Sequence, residues 1–224
     1  LPRTQQRLLD ALDGLPLEIT LGTAVSSITA VLRGRGTGAG ERRVVLLRAD
    51  MDALPVVEQS GEPFACTTGT MHACGHDLHM AMLVGAVHEL CAQADGLQGD
   101  VVFMFQPGEE GVDGARYMIE EGVLDAAGRR PDAAYALHVW SALEPHGVFC
   151  TKPDAIMASS DTVDVTVLGQ GGHGSAPHLA KDPVPPMAEM ITALQVMLTR
   201  KTDPLEPAVI TTGMVKAGEA CNVI

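Results

Sequence analysis

Three short apolar runs constrain the fold of this chain more than any other feature. They are VVLL (44–47), VVFMF (101–105) and AAYAL (133–137), and none of them alternates between apolar and polar residues. Continuous apolar runs of this length are typical of parallel strands whose two faces are both covered by helices. Segments with helical apolar spacing separate the runs. The pattern therefore predicts an α/β fold with a largely parallel sheet.

The remaining elements follow from apolar periodicity and from turn residues. Asp77 is predicted to be the N-cap of the second helix. We predict helices at 3–13, 77–92, 113–124 and 184–199, and strands at 26–34, 42–50, 100–106, 132–140, 162–168 and 208–215.

The pattern changes near residue 155. Val163, Val165 and Val167 alternate with polar residues, which predicts a strand with one solvated face. A helix and another short apolar strand follow. We therefore predict two domains, an α/β domain at 1–155 and an α+β domain at 156–224.

Charge and cysteine usage exclude several classes of function. Fifteen basic and twenty-eight acidic residues give a net charge of −13, which argues against nucleic-acid and anionic-membrane partners. No apolar run reaches the length of a membrane-spanning helix. Five scattered cysteines, an odd number, do not form a disulfide framework, so we expect a reducing, cytoplasmic compartment. Because the sequence opens on Leu1 and not on Met, we expect it to be part of a longer protein.

Polar side chains cluster where the predicted parallel strands end. In open α/β sheets, ligands bind outside the carboxyl ends of the strands. The side chains at this edge are Asp50 and Asp52 after the strand at 42–50, Glu109 and Glu110 after the strand at 100–106, His138 near the end of the strand at 132–140, and Cys74 and His76 in the loop before the second helix.

This combination of side chains matches the ligands of zinc and similar first-row metals. Each residue alone has a more ordinary explanation. Cys74 could be a small buried hydrophobe, and the Glu109–Glu110 pair could complement a helix dipole. His138 could be a hydrogen-bonded core histidine. Their convergence from separate segments favours a metal site.

The chain resembles a known family in motifs that occur in a fixed order. The motifs are RADMDALP, MHACGHDLH, FQPGEEG, LHV, GQGGHGSAPH and CNVI. They are similar to those of the amidohydrolase branch of the aminoacylase/carboxypeptidase metallohydrolases, which includes hippurate hydrolase and auxin-conjugate hydrolases. The resemblance implies a zinc-peptidase-like three-layer sandwich with an inserted ferredoxin-like lid and dimerisation domain, both incomplete in this chain.

The resemblance also implies roles for individual residues. Glu109 matches the general base that deprotonates the attacking water, and Asp52 matches the aspartate that orients the metal site. Asp50 stands where other branches have a metal-binding histidine, so we assign it no metal. The cofactors implied are two divalent ions, zinc or manganese, with cobalt also compatible. The metal ligands implied are Cys74, His76, Glu110 and His138.

Two further residues are implied to act from the second domain. His173 matches a histidine that reaches into the partner's active site of a homodimer and stabilises the developing oxyanion. Asn222 matches a residue that contacts the substrate. His72 and His79 are expected to be structural or to support the ligands. The family's last metal-ligand histidine and its first catalytic helices are expected to lie outside this sequence.

We therefore expect a metal-dependent amidohydrolase that cleaves N-acyl amino acids or similar peptide-like conjugates, with Glu109 as the general base. Two alternatives remain open. One is an amidase that uses Cys74 as nucleophile with His76. The other is a non-catalytic relative that binds metal or dimerises.

Overall fold

The computed structural model describes residues 1–38, 40–141 and 145–224. These residues form two compact units, Leu1–Phe149 and Cys150–Ile224. The boundary lies a few residues before the change of pattern near residue 155. Each unit is described separately below.

The first unit contains a five-stranded mixed sheet in the order β1-β2-β4-β3-β5. Strands β3, β4 and β5 are parallel, as their apolar runs predicted, whereas β2 is antiparallel to both β1 and β4. The strands are β1 (Leu17–Leu21), β2 (Ile28–Arg33), β3 (Val44–Asp50), β4 (Asp100–Gln106) and β5 (Ala133–Ala136).

Helices cover both faces of the sheet. The helices are α1 (Pro2–Leu12), α2 (His76–Ala92) and α3 (Gly114–Glu120), followed by a short 3-10 turn at Val123–Asp125. Phe103 and Phe105 of β4 pack in the cluster that contains α1 and α2, whereas Val102 and Met104 pack with Met118 of α3. All seven residues of β4 are buried, because this strand lies at the centre of the sheet. The three-layer α/β arrangement is confirmed.

Four details of this unit differ from the sequence prediction, and the first is that the helix predicted at 113–124 ends at Glu120. β1 was not predicted, because it is a short edge strand in which most residues are exposed. β5 is shorter than the predicted strand at 132–140 and is also an exposed edge strand. Asp77 is not the N-cap of α2. Gly75 takes that position with a φ of 79°, and the Asp77 side chain accepts a hydrogen bond from the Leu78 N–H at 2.9 Å.

The second unit contains α4 (Val184–Lys201) and a 3-10 turn at Pro177–Leu179. Within the described residues, the segments 162–168 and 208–215 form no strand, so that part of the prediction is wrong. A strand requires a neighbour for its backbone hydrogen bonds, and β-pairing in this unit is limited to single bridges, Gln170 with Lys181 and His173 with Val223.

Among the helices of the described residues, none has both the length and the apolar character needed to cross a bilayer.

Candidate metal centre

The candidate site lies at the carboxyl ends of the parallel strands. β3 ends at Asp50 and β4 at Gln106, and these two residues are register partners. Each strand is followed within a few residues by a segment that carries candidate ligands. The amino end of α2, where His76 is the first helical residue, lies at the same edge.

Two glycines allow these segments to approach one another. Gly75 has a positive φ, and a Cβ at this position would collide with the side chain of Val139. Gly114 begins α3 so close to the Pro107 carbonyl that a side chain could not be accommodated. The loop that carries Cys74 thus lies against the segment after β5, and the loop that carries Glu109 and Glu110 is closed tightly.

Four candidate ligands come together at this edge. Cys74, His76 and Glu110 offer ligand atoms that all lie within 4.8 Å of one another. The Cys74 Sγ is 3.4 Å from the His138 Nε2. Two ligands bound to one tetrahedral ion at about 2.0–2.3 Å lie about 3.5 Å apart, so this separation suits a shared ion.

The tautomer of His138 also suits a ligand. Its Nδ1 lies 2.7 Å from the Val139 carbonyl oxygen, which can only accept, so Nδ1 carries the proton. The lone pair is therefore on Nε2, the atom that faces Cys74. Metal-binding histidines commonly donate their other ring N–H to a backbone carbonyl in this way.

The thiol of Cys74 lies in a negative environment. Burial raises its pKa above the ordinary value, and the carboxylates of Glu110 and Glu109 raise it further. A cluster of carboxylates around a thiol favours the protonated thiol until a cation is present. A bound divalent cation reverses the balance because it stabilises the thiolate directly.

Asp52 contacts the segments of two candidate ligands. Its Oδ2 accepts a hydrogen bond from the Glu110 N–H at 2.9 Å. Its Oδ1 lies 3.3 Å from the His76 Nδ1, although these two buried atoms make no hydrogen bond within the described structure. A small rotation of the His76 ring would let Nδ1–H donate to Asp52 and leave Nε2 for a metal. That arrangement would satisfy both buried atoms and would orient His76 as a metal ligand.

Glu109 lies beside the cluster but remains accessible. Its side chain is 43% exposed, and its Oε2 is 4.0 Å from the His76 Nε2. The neighbouring Glu110 is partly buried. The two adjacent carboxylates therefore differ in environment, one facing solvent and one facing the thiol.

Asp50, His76 and His79 form a second group of close, buried ligand atoms. His79, however, has no lone pair available. Its Nε2 accepts a hydrogen bond from the Val139 N–H at 2.9 Å, and its Nδ1 lies 2.6 Å from the Asp50 Oδ1. Burial lowers the pKa of His79, despite the opposing effect of the Asp50 carboxylate. The Arg48 Nη1 donates a hydrogen bond to the other carboxylate oxygen of Asp50, Oδ2, at 2.7 Å.

Arg48 received no role from the sequence, and His79 was expected only to be structural or to support the ligands. A signal for His79 was present, because residues three apart on a helix share a face and His76 and His79 have that spacing on α2. For Arg48 the signal was a lone charge inside the apolar run of β3.

His173 and Asn222 lie in the second unit, where the structure brings their segments together. The Gly174 N–H donates to the Asn222 carbonyl at 2.9 Å, and Gly172 and Ile224 exchange two backbone hydrogen bonds. The His173 Nδ1 accepts hydrogen bonds from the backbone and hydroxyl of Ser175. Both side chains are exposed.

Comparisons with known proteins agree with these features. The model of peptidase family M20/M25/M40 matches residues 46–222. N-acetyldiaminopimelate deacetylase of Bacillus subtilis (strain 168) is 38% identical over 223 residues, which cover 99% of this chain and 58% of that protein. Thermostable carboxypeptidase 2 of Saccharolobus solfataricus is 38% identical over 225 residues, which cover 99% of this chain and 55% of that protein. The chain thus spans little more than half the length of these curated relatives.

Solved structures similar to this chain include a member of the same family. The crystal structure of a protein from methicillin resistant Staphylococcus aureus matches this chain with a TM-score of 0.71 and 30% identity. The match covers 99% of this chain and 57% of that protein chain. The Bacillus subtilis protein YXEP, described as a dinuclear metal binding peptidase from the M20 family, matches with a TM-score of 0.55 and 37% identity, over 61% of this chain and 37% of that one. The family resemblance seen in the motifs is confirmed. Because the matched family model covers most of its length, the chain belongs to peptidase family M20/M25/M40.

Proposed function

We propose that the protein containing this chain is a metal-dependent amidohydrolase that cleaves the amide bond of N-acyl amino acids or similar small conjugates. The observation that carries the proposal is the meeting of Cys74, His76, Glu110 and His138 at one sheet edge, with the accessible carboxylate of Glu109 beside them. The names of the relatives, a deacetylase and a carboxypeptidase, support amide hydrolysis.

We propose that these four residues, together with a histidine outside this sequence, hold two divalent ions. The donor set of thiolate, imidazole and carboxylate suits zinc, and manganese or cobalt are also compatible with it. The description of the related YXEP protein as dinuclear supports two ions. Divalent ions supply Lewis acidity, which lowers the pKa of a water molecule and polarises the carbonyl group to be attacked.

In this proposal Glu109 is the general base. Its carboxylate takes a proton from the water, whose oxygen then bonds to the carbonyl carbon of the amide. When the carbon–nitrogen bond breaks, Glu109 returns the proton to the leaving nitrogen, which yields a carboxylate and a free amino acid. Asp52 positions the site through its hydrogen bond to the Glu110 backbone and its contact with His76.

We further propose that the protein is a cytoplasmic homodimer and that the second unit completes the site. Asn222 would contact the substrate, and His173 would stabilise the oxyanion that develops on the substrate bound to the partner. The adjacent position of their two segments within this unit supports a shared role.

Replacing His173 by Ala is expected to lower kcat by about 10²- to 10³-fold, because one oxyanion donor would be lost. The dimer should remain intact in size-exclusion chromatography, since the side chain is exposed. His178→Ala, an exposed histidine in the same loop region, is the matched control and should leave kcat unchanged. An unaltered kcat in His173→Ala would remove His173 from the mechanism.

The proposal as a whole is tested with the full-length protein and a panel of N-acetyl and N-benzoyl amino acids, together with elemental analysis of the purified protein. We expect turnover of at least one member of the panel and about two divalent ions per chain. Metal without turnover on the whole panel would favour a non-catalytic relative.

A further inference from the structure

We propose that His79 is a positioning residue that fixes the place and the tautomer of the His138 ring. The inference rests on the proposed metal centre, in which His138 is a ligand. His79 itself would not touch a metal or the substrate, because both of its ring nitrogens are already engaged. It would act through the backbone of Val139.

The two hydrogen bonds of His79 define its own protonation state. The Val139 N–H can only donate, so the His79 Nε2 that receives it at 2.9 Å carries no proton. In the neutral ring the proton is then on Nδ1, which donates to the Asp50 Oδ1 at 2.6 Å. His79 is almost fully buried, so no water competes for either bond.

Val139 transmits this constraint to His138. Its N–H is held by His79, and its carbonyl accepts the proton on the His138 Nδ1 at 2.7 Å. The His138 ring can rotate away only if one of these bonds breaks. The two rings also contact each other edge to face, with centroids 4.8 Å apart. The lone pair on the His138 Nε2 is thereby kept toward the Cys74 Sγ.

The other end of this chain of hydrogen bonds is anchored in the sheet. Asp50, which is 1% exposed, accepts a charged hydrogen bond from the Arg48 Nη1 at 2.7 Å. The Arg48 Nε donates to the Gln106 side chain of β4 at 2.9 Å. Burial alone would raise the pKa of Asp50, but the hydrogen bond from His79 and the charge of Arg48 hold it below its ordinary value. The side chains of β3 and β4 therefore set the position of a residue that follows β5.

A histidine that only fills space in the core would tolerate any substitution of similar size. The positioning role is stricter, because only an acceptor at the place of Nε2 can hold the Val139 N–H. The amide oxygen of Gln reaches that place, whereas the amide of Asn reaches only the place of Nδ1. His79→Gln should therefore preserve the link to Val139, and His79→Asn should preserve only the bond to Asp50.

The experiment compares these variants in the full-length protein. We expect His79→Asn to raise the Kd for Co²⁺ about 10- to 100-fold and to weaken the thiolate-to-cobalt charge-transfer band, as is usual when a residue that supports a metal ligand is lost. His79→Gln should keep a near-wild-type Kd and spectrum. His88→Asn is the matched control, because it removes a histidine-to-backbone hydrogen bond from the same helix, to the Ala11 carbonyl. His88→Asn should leave the Kd for Co²⁺ and the charge-transfer band unchanged.

A measurement on the metal-free wild-type protein separates this inference from the proposed function. In ¹⁵N-histidine-labelled protein, NMR should find the proton of His79 and that of His138 on Nδ1. Finding either proton on Nε2, or equal cobalt affinity in His79→Asn and His79→Gln, would overturn the positioning role. If the NMR pattern holds but the wild type binds no Co²⁺, the metal centre is wrong while the positioning of the His138 ring stands.

Discussion

Replacing Glu109 by Gln is expected to lower kcat about 10²- to 10⁴-fold, the usual contribution of a general base. The amide cannot accept the proton of the attacking water, although it has nearly the same size. Because the Glu109 side chain is 43% exposed and lies beside the ligand cluster, the variant should fold and retain its metal. Steady-state kinetics on an N-acyl amino acid and elemental analysis of the same preparation provide the measurement.

Glu110→Gln is the matched control for this variant. The neighbouring carboxylate is partly buried and belongs to the cluster with Cys74 and His76, so its loss should lower metal content as well as turnover. If Glu109→Gln lost its metal and Glu110→Gln kept it, the two glutamates would have exchanged roles.

Removal of metal is expected to abolish hydrolysis entirely. The described site contains carboxylates, imidazoles and a thiol, and the nearby cation Arg48 is already paired with Asp50. Without divalent ions, the pKa of the water would not be lowered and the carbonyl group would have no Lewis acid, so Glu109 and His173 alone would not sustain turnover. Dialysis against a strong chelator should reduce turnover to the uncatalysed background, and Zn²⁺, Mn²⁺ or Co²⁺ should restore it. Circular dichroism of the stripped protein controls for unfolding.

The same experiment separates the metalloenzyme from a cysteine-nucleophile amidase. The alternative pairs Cys74 with His76, whereas in the structure the histidine within hydrogen-bond distance of the thiol is His138. An enzyme of that kind keeps its turnover without metal. Full activity in protein shown by elemental analysis to be metal-free would therefore rule out the proposed mechanism.

The strands of the sheet show which parts of the fold can be predicted from neighbouring residues in the sequence. β4 was predicted with its observed bounds, 100–106, because every one of its residues is buried and its apolar run is unbroken. β1 was missed because an exposed edge strand carries no comparable run. The insertion of β4 between β2 and β3 depends on pairing between residues 67 to 77 positions apart, such as Ile28 with Phe105. Apolar periodicity does not encode such pairing.

The candidate site also contains features that the sequence predicted and others that it could not. Its proposed ligands could be named from sequence because they follow strand ends, and parallel strands bring those ends to one edge. The contact of His79 with Val139 could not be named, because it joins a helix to a loop 60 residues away. The strands predicted at 162–168 and 208–215 were wrong for a related reason. An alternating pattern shows that a segment could form a strand, but only a neighbouring strand can make it one.

The short pairing of β5 with β3 has a consequence for how an ion would be retained. The two strands pair over four residues, and His138 follows two residues after the end of β5. Short segments with few buried contacts are those that open most readily in native proteins. If His138 binds metal as proposed, transient detachment of β5 would release one coordination bond and begin ion exchange. Conversely, free metal at about 100 times its Kd would oppose that opening by about 2.7 kcal/mol. Ion exchange and the local opening of β5 would then be the same event.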